Sequence, residues 1–459
     1  MIKIHLKDDR YEADVRAMVQ AFYPDSYLYV QKDRTNLETQ RLKVNEPVEF
    51  ELDIDTDISD KNELKRYLYE DLRIRARREL PWGTLTGIRP TKIPTRLIEA
   101  GLSDEEIRDN LKKIYLVSDK KADLAIKIAH FEHEILSGIG GGSYSLYIHI
   151  PFCPTRCAYC SFTSFPVSQY RELMGGYIEA LIKELEYIAK KQKERKPATI
   201  YIGGGTPTTL DAGMLYDLCS VVRELFSHDK LLEWTVEAGR PDSIDAGKLN
   251  VLKNAGVTRI SINPQTMNQA TLDIIGRRHS VEDIYVAYNL ARDVGFDNIN
   301  ADLIMGLPNE GEEEVKHTLR CIEKMAPESL TIHSLSRKHN SEMTLNSDAY
   351  KAYTLESAAH FLDMADETAN KLDLEPYYLY RQRNISGNRE NIGYAIRGKE
   401  GYYNILIMEE YHSIIAAGAG AVTKIIDTPG RLRERIENVK DVKEYIRRID
   451  EMIERKAEI

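Results

Sequence analysis

The sequence feature that most restricts the fold is a repeated alternation of short apolar runs and long amphipathic segments between about residues 143 and 340. The apolar runs have the length of strands, and six occur in order: SLYIHI, ATIYIGG, EWTVEA, TRISIN, NINADLIMG and SLTIHSL. Strand and helix repeats of this kind predict parallel strands joined by crossover helices. Because a closed TIM barrel has eight such units, six predict a partial parallel (β/α)6 barrel of TIM type.

The flanking regions predict smaller units of mixed type. Residues 1–60 read as a small α+β unit and residues 61–142 as a helical connector that ends in the glycine-rich SGIGGG. Residues 143–340 form the predicted barrel, and residues 341–459 a C-terminal α+β extension that covers its open side. In that extension we expect a helix in YTLESAAHFLDMADETANKL, strand-like YYLY and NILIM, and a charged terminal helix from RLRERIE onward.

Composition and charge narrow the classes of protein. The formal net charge of −10 disfavours nucleic acid as a partner, because both would be negatively charged. No apolar run reaches the roughly 20 residues of a membrane span, and the first residues lack the pattern of a signal peptide. We therefore predict a cytoplasmic protein with neither a nucleic-acid partner nor a membrane span.

Three of the five cysteines, Cys153, Cys157 and Cys160, lie in the loop after the first predicted barrel strand, with C-x3-C-x2-C spacing. Soft thiolates in one loop suit zinc or an iron–sulfur cluster. A closed zinc site needs four ligands, whereas three thiolates on a [4Fe-4S] cubane leave one iron open for the amino-acid end of S-adenosylmethionine (SAM). The spacing favours the cluster. A zinc site that borrows His149, or thiols that bind nothing, are the alternatives, and Cys219 and Cys321 read as ordinary buried thiols.

The other predicted strands also end in residues suited to binding. In parallel barrels the chemistry gathers at the carboxyl ends of the strands. The second strand ends in Gly203, Gly204 and Gly205, which allow close backbone approach. The third ends in Glu237, the fourth is followed by Gln265 and then by Arg277, Arg278 and His279, and the fifth carries the acid Asp302 among apolar residues.

The cysteine motif, the GGGTPT turn and the Q…GR-x-H segment together resemble the oxygen-independent coproporphyrinogen III dehydrogenases of the radical SAM superfamily. The resemblance covers residues 143 to about 335. PWGTLTGIRPTK, EAGRP and NISGNRENIGYA resemble the HemZ-type branch in particular.

The resemblance implies roles for individual residues. Cys153, Cys157 and Cys160 would ligate the cluster, and Tyr147 and Tyr159 would lie near SAM. Further contacts to SAM are implied for the glycine turn and the strand ends: Gly204, Gly205, Thr206, Glu237, Gln265, Arg277 and Asp302.

The resemblance also implies an activity. A 5′-deoxyadenosyl radical from SAM would remove hydrogen from the propionates of coproporphyrinogen III, which lose CO2 and become the vinyl groups of protoporphyrinogen IX. The implied partners are a porphyrinogen or haem-type tetrapyrrole and a reduced flavodoxin or ferredoxin-type electron donor. Since planar guanidinium groups pair carboxylates well, the candidate substrate contacts are Arg337, Arg381, Arg383 and Arg389. The alternatives are a haem-binding radical SAM chaperone and a haem-modifying radical SAM methyltransferase.

This chain departs from the family pattern at two strand ends. Asn263 and Pro264 stand where relatives usually have Gly-Val before the glutamine. After the glutamate, the typical asparagine-proline is replaced by Ala238, Gly239 and Arg240. These differences concern the substrate more than the cofactor.

Overall fold

The computed structural model describes residues 1–7, 9–24, 26–32, 47–54, 58, 60–139, 142–336, 341–345, 355–382 and 389–459. These residues group into two compact units: Met1–His130 with Leu379–Asn391, and Phe131–Tyr378 with Ile392–Ile459. The division at residues 60, 142 and 340 stays a prediction.

The first unit contains a three-stranded parallel sheet in the order β2-β1-β3. Helix α2, which the sequence places in the connector, contributes Leu64, Leu68 and Leu72 to the same hydrophobic core as the sheet and α1. The elements are β1 (Ile2–Leu6), α1 (Glu12–Phe22), β2 (Leu28–Lys32), β3 (Phe50–Ile54), α2 (Lys61–Ala76), α3 (Lys92–Glu99) and α4 (Asp104–Tyr115). Helix α5 (Asp119–Ser137) begins in the first unit and ends in the second.

The six predicted barrel strands are present, and each pairs with its neighbour in parallel. They are β4 (Tyr144–Ile150), β7 (Pro197–Gly204), β8 (Glu233–Glu237), β9 (Arg259–Ser261), β10 (Ile299–Met305) and β11 (Ser329–Ser334). Two short strands, β5 (Phe152–Cys153) and β6 (Phe165–Pro166), pair with each other after β4. The predicted parallel (β/α)6 arrangement is confirmed.

Helices connect these strands as predicted. They are α6 (Val167–Tyr170), α7 (Met174–Lys191), α8 (Ala212–Phe226), α9 (Ala246–Ala255), α10 (Gln269–Ile274), α11 (Val281–Asp293) and α12 (Glu312–Met325), followed by α13 (Glu342–Leu345) and α14 (Leu355–Lys371). Within the described residues, none of the helices combines the length and the apolar character that a membrane span requires.

The C-terminal extension lengthens the sheet at both edges, giving eleven strands in the order β12-β13-β11-β10-β9-β8-β7-β4-β14-β15-β16. Strand β13 pairs antiparallel with β11, whereas β14 pairs parallel with β4. The added elements are β12 (Glu375–Tyr380), β13 (Asn391–Ala395), α15 (Tyr402–Glu409), β14 (Ile414–Ala417), β15 (Val422–Thr428), β16 (Arg431–Glu437), α16 (Val442–Arg447) and α17 (Ile449–Glu454).

Two predictions for the extension are wrong. NILIM lies in helix α15, because a short apolar run has no periodicity that separates a strand from a helix. RLRERIE is strand β16, which pairs antiparallel with β15. Its two apolar residues, Leu432 and Ile436, are four positions apart, and this spacing fits one face of a strand as well as one face of a helix. The terminal helices begin only at Val442, after Asp441 caps the first turn through the backbone N–H of Glu444.

The parallel strands of the barrel have two different faces. One face is apolar and fully buried, with Leu146, Ile200, Trp234, Ile260 and Leu303 each 0% exposed. The other face is polar, and its side chains bond to one another across neighbouring strands: Ser145 with Thr199, Tyr201 with Glu237, Arg259 with Ser329, and Asn300 with Thr331. The sheet therefore has one polar face, and the carboxyl ends of the parallel strands lie along one end of this face.

Candidate functional site

The cysteine loop begins directly after β4. Cys153, Cys157 and Cys160 are thiols and are half-buried. A turn from the carbonyl of Cys157 to the N–H of Cys160, at 3.0 Å, brings these two residues close together. The N–H of Ala158 donates to the carbonyl of Ile275 at 3.0 Å, which joins this loop to the segment after the fourth barrel strand.

The electrostatics of the three thiols fit a cluster of positive iron ions. Burial, and then the neighbouring Cys157 and Cys160, raise the pKa of the Cys153 thiol to about 11, although the hydroxyl of Thr206 points to its sulfur at 3.6 Å. Three thiolates are thus unfavourable here unless a metal supplies the compensating charge. Cys219 and Cys321, in contrast, are buried as expected, with exposures of 1% and 7%.

The glycine turn at the end of β7 has no room for side chains. A Cβ on Gly203 would lie 2.7 Å from Cε1 of Tyr201, and one on Gly205 would lie 2.5 Å from the carbonyl oxygen of Phe152. Gly204 has a φ of +113°, which favours glycine. The N–H groups of Gly205 and Thr206 donate to the carbonyls of Ile150 and Phe152 at 2.8 and 2.7 Å, so the turn is bonded to the start of the cysteine loop.

Glu237 closes the third strand and faces this turn. Its Oε1 accepts a hydrogen bond from the hydroxyl of Tyr201 at 2.6 Å, and its Oε2 accepts one from the N–H of Gly204 at 3.3 Å. Burial, and to a lesser extent the charge of Asp302, raise the pKa of Glu237 to about 7. The site therefore holds a carboxyl group that changes charge near neutral pH.

Aromatic rings line the polar face beside Glu237. Tyr147, Tyr201 and Tyr403 stack in pairs, with centroid distances of 6.2 Å between Tyr147 and Tyr201 and 4.4 Å between Tyr201 and Tyr403. Tyr159 is half-buried next to Cys157 and Cys160, and burial followed by the charge of Cys157 raises its pKa well above the usual value. Tyr147 therefore lies beside Tyr201 and Glu237, whereas Tyr159 lies beside the cysteines.

Gln265 and Asp302 are brought together by the backbone. The N–H of Gln265 donates to the carbonyl of Asp302 at 2.9 Å, and Gln265 has an unusual φ of +67°. Burial raises the pKa of Asp302, but His333 at 3.8 Å and the amide of Asn300 at 2.6 Å outweigh it, so the pKa lies below its ordinary value.

Arg277 connects two strand ends through its guanidinium group. Its Nη1 donates to the carbonyl of Asn263 at 2.7 Å and its Nη2 to the carbonyl of Gly239 at 2.6 Å. Its Nε, Oε1 of Gln265 and Oδ1 of Asn263 are buried and lack a hydrogen-bond partner within the described part of the chain. Unsatisfied buried polar atoms at neighbouring strand ends fit a ligand that completes them. Contacts of Arg277 and Gln265 to SAM stay predictions.

Three residues of the site were missed in the sequence. Tyr201 could have been found, because it lies two positions before Gly203 and so shares its face of β7. His333 lies on β11 within SLTIHS, one strand from Asp302. Arg240, which the sequence shows only as a departure from the family pattern, lies with Nη1 3.8 Å from the sulfur of Cys157. Loop contacts of this kind leave no periodic signal.

Of the candidate substrate arginines, none that the structure describes belongs to the compact unit that carries the cysteine loop. Arg337 and Arg383 lie outside the described residues. Arg381 and Arg389 belong to the first compact unit, where Arg381 is 4% exposed and its Nη1 donates to the carbonyl of Leu85. Burial lowers the pKa of Arg381 to about 10. Their contact with a substrate stays a prediction.

His149, the residue that a zinc site would borrow, is engaged elsewhere. Its Nδ1 lies 2.5 Å from the carbonyl oxygen of Ala419, and its ring occupies the space next to Gly204. Across the described ranges, no three His, Cys, Asp or Glu side chains are arranged around a point where a single metal ion could bind.

Comparisons with known proteins agree with this geometry. The model of the radical SAM superfamily, whose members use a [4Fe-4S] cluster and SAM, matches residues 147–322. The solved structure of coproporphyrinogen III oxidase (HemN) from Escherichia coli, described as a radical SAM enzyme, has a TM-score of 0.55 and 22% identity, covering 71% of this chain and 73% of that one. It shows the shared fold.

Two relatives in sequence are also informative. The haem chaperone HemW of Bacillus subtilis is 37% identical over 192 residues, which are 42% of this chain and 50% of HemW. The oxygen-independent coproporphyrinogen-III oxidase-like protein HemZ of the same organism is 43% identical over 382 residues, which are 82% of this chain and 76% of HemZ. Because that similarity extends over most of both proteins, the chain belongs to the HemZ-type branch of the oxygen-independent coproporphyrinogen III oxidase-like family, within the radical SAM superfamily.

Proposed function

We propose that this protein converts propionate side chains of coproporphyrinogen III to vinyl groups without oxygen, giving protoporphyrinogen IX and CO2. The bound cluster and SAM supply the radical that removes a hydrogen atom from the substrate. Electrons for the cleavage of SAM come from a flavodoxin or ferredoxin-type donor. After hydrogen removal, each substrate radical loses CO2 and one electron, which passes to an external one-electron acceptor.

One observation carries the proposal. The cysteine loop, the glycine turn, Glu237 and Gln265 lie at or just after the carboxyl ends of four parallel strands of one sheet. Asp302 lies within the fifth strand, where its carbonyl accepts the N–H of Gln265. Because carboxyl ends of parallel strands share one edge, residues far apart in sequence can surround a single bound cofactor. The similarity to HemZ over most of the chain supports the choice of a tetrapyrrole substrate.

Different residues of the site bind the cluster, bind SAM and exclude water. Cys153, Cys157 and Cys160 hold the cluster, and Gly204 and Gly205, whose turn is hydrogen-bonded to the start of the cysteine loop, bind the amino-acid end of SAM. Glu237, with its pKa near 7, pairs with the ammonium group of SAM. The stacked rings of Tyr147 and Tyr201 exclude water from this side, so that a reactive species meets only the substrate.

The test is an anaerobic assay of reconstituted protein with SAM, a reductant and coproporphyrinogen III. The expected products are 5′-deoxyadenosine, CO2 and vinyl-bearing porphyrinogen, separated by chromatography. Cys157→Ser abolishes all three, and the matched control Cys219→Ala leaves them unchanged because that thiol is buried in helix α8. Formation of 5′-deoxyadenosine in the wild type with no vinyl product contradicts the proposed substrate.

A haem chaperone is the second candidate, because the relatives of this chain include a haem chaperone, HemW, at 37% identity as well as a coproporphyrinogen III oxidase. A chaperone binds haem tightly and does not decarboxylate coproporphyrinogen III. Titration with haem, followed by the Soret absorption, separates the two: stoichiometric haem binding together with no vinyl product favours the chaperone.

A further inference from the structure

Arg240 contacts the cysteine loop, and its side chain is almost completely buried. It is 3% exposed, and its Nη1 lies 3.8 Å from Sγ of Cys157, within hydrogen-bonding range for sulfur. The same nitrogen donates to the hydroxyl of Thr155 at 3.1 Å. A buried guanidinium group thus faces the segment of chain that carries the second cysteine of the motif.

Asp242 fixes the direction of this guanidinium group. Nε of Arg240 donates to Oδ1 of Asp242 at 2.9 Å, and Nη2 donates to Oδ2 at 2.7 Å. This bidentate pair leaves Nη1 directed at the cysteine loop. Thr155, which Nη1 also contacts, donates to the carbonyl of Gly276 at 3.0 Å, so the loop is held from both sides.

The positive charge of Arg240 favours the reduced state of the cluster over the oxidised state. Asp242 pairs with the guanidinium group on one side, and the sulfur of Cys157 lies 3.8 Å from it on the cysteine loop, with Cys153 close enough to interact through its charge. Reduction of a cluster held by these cysteines adds one negative charge near the guanidinium group. Hydrogen bonds to cluster sulfurs and nearby charge set the reduction potential of iron–sulfur clusters. A buried cation that donates to a ligand sulfur therefore stabilises the reduced state more than the oxidised state.

We propose that Arg240 is a positioning residue that holds the cysteine loop and raises the reduction potential of the cluster. The proposal depends on the cluster but not on the tetrapyrrole substrate. Its test contains no substrate, so it can fail while the proposed function stands, and the reverse also holds.

The test is an anaerobic redox titration of the reconstituted protein, followed by EPR of the reduced cluster. A hydrogen bond to a charged group contributes about 1.5 kcal/mol or more. Arg240→Gln therefore shifts the reduction equilibrium about tenfold toward the oxidised state, which is about 59 mV for one electron. Arg240→Lys keeps the charge and shifts the potential less. Iron content is measured in every sample.

A matched control is Arg292→Gln, because Arg292 is also partly buried and pairs with Glu328, but at the amino ends of the strands. It leaves the potential unchanged. An unchanged potential in Arg240→Gln with full iron content overturns the proposal.

A second measurement uses only the wild-type protein, so it does not require that the Arg240 variants fold or keep their cluster. Wild-type protein labelled with 15N in its arginine guanidinium groups shows a 15N hyperfine coupling in pulsed EPR of the reduced cluster, because Nη1 of Arg240 contacts a ligand sulfur. No 15N coupling overturns the proposal, even if both Arg240 variants lose their iron.

Discussion

The hydroxyl of Tyr201 donates a 2.6 Å hydrogen bond to Oε1 of Glu237, joining two neighbouring parallel strands on the polar face of the sheet. This bond favours the ionised carboxylate, but burial outweighs it, and the pKa of Glu237 is raised to about 7. The protonation of one carboxyl group therefore decides the charge of the candidate SAM site within the physiological range of pH.

The first prediction concerns the affinity for SAM. If Glu237 pairs with the SAM ammonium group, it must be ionised to bind, so below pH 7 binding first removes a proton. We expect the dissociation constant of SAM to be about tenfold higher at pH 6 than at pH 8, measured by calorimetry. Glu237→Gln binds weakly at both values. A wild-type affinity that is independent of pH contradicts this role for Glu237.

The same variant should be more stable than the wild type above neutral pH. A carboxyl group whose folded pKa is raised destabilises the fold where it is ionised, and this effect disappears as the pH falls toward its unfolded value. Glu237→Gln should therefore stabilise the protein without ligand by about 1 to 3 kcal/mol at pH 8 and by little near pH 4.5. Urea unfolding at the two pH values measures this, and the result also shows that lost SAM affinity is not lost folding.

The second prediction concerns the glycine turn. Gly204→Ala places a Cβ 2.1 Å from Cδ2 of His149 at a φ of +113°. Strain and steric overlap together should lower the free energy of unfolding by about 3 kcal/mol or more. Gly175→Ala is the control: no atom lies within 4 Å of its Cβ, and in helix α7 alanine is preferred to glycine. Equal urea midpoints for the two variants would show that the turn tolerates a side chain.

The parallel sheet and the cysteine loop could be predicted because their signals are local. Each apolar run is one strand, and C-x3-C-x2-C lies within one loop. Other features depend on distant parts of the chain. Strand β14 pairs with β4, and Tyr403 stacks on Tyr201, although these partners lie far apart in sequence. The contact of Arg240 with Cys157 depends on how two loops run, which spacing does not determine.

The third prediction tests which cysteines hold the metal. Cys153→Ser, Cys157→Ser and Cys160→Ser each remove one of the three proposed ligands, so we expect each variant to lose most of its iron after anaerobic reconstitution. Cys219→Ala should keep a full [4Fe-4S] cluster, because that thiol is 1% exposed within helix α8 and does not belong to the C-x3-C-x2-C loop. Iron and sulfide analysis, together with EPR, measures the cluster content of each variant. Full iron in any of the three serine variants would remove that cysteine from the site.

The fourth prediction concerns the first unit, where Glu390 is fully buried. Nε1 of Trp82 donates to its Oε2 at 2.7 Å, and Nζ of Lys121 contacts its Oε1. Burial raises the pKa of Glu390, but the charge of Lys121 and the hydrogen bonds from Lys121 and Trp82 together outweigh burial, so the pKa lies below its ordinary value. The stability from this group is thus present above its ordinary pKa and is lost as the pH falls through the lowered one.

Glu390→Gln keeps the bond to Trp82 but leaves the largely buried Lys121 without this counterion. We expect it to lower the stability of the first unit by about 3 to 5 kcal/mol at pH 7. The difference from the wild type should shrink in acid, where Glu390 is neutral as well. Urea unfolding followed by tryptophan fluorescence, with hydrogen exchange over residues 61–130, measures the effect. Asp109→Asn, which breaks the exposed pair with Lys113, is the control and should change nothing measurable; similar losses in both variants would show that burial of the Glu390 pair does not matter.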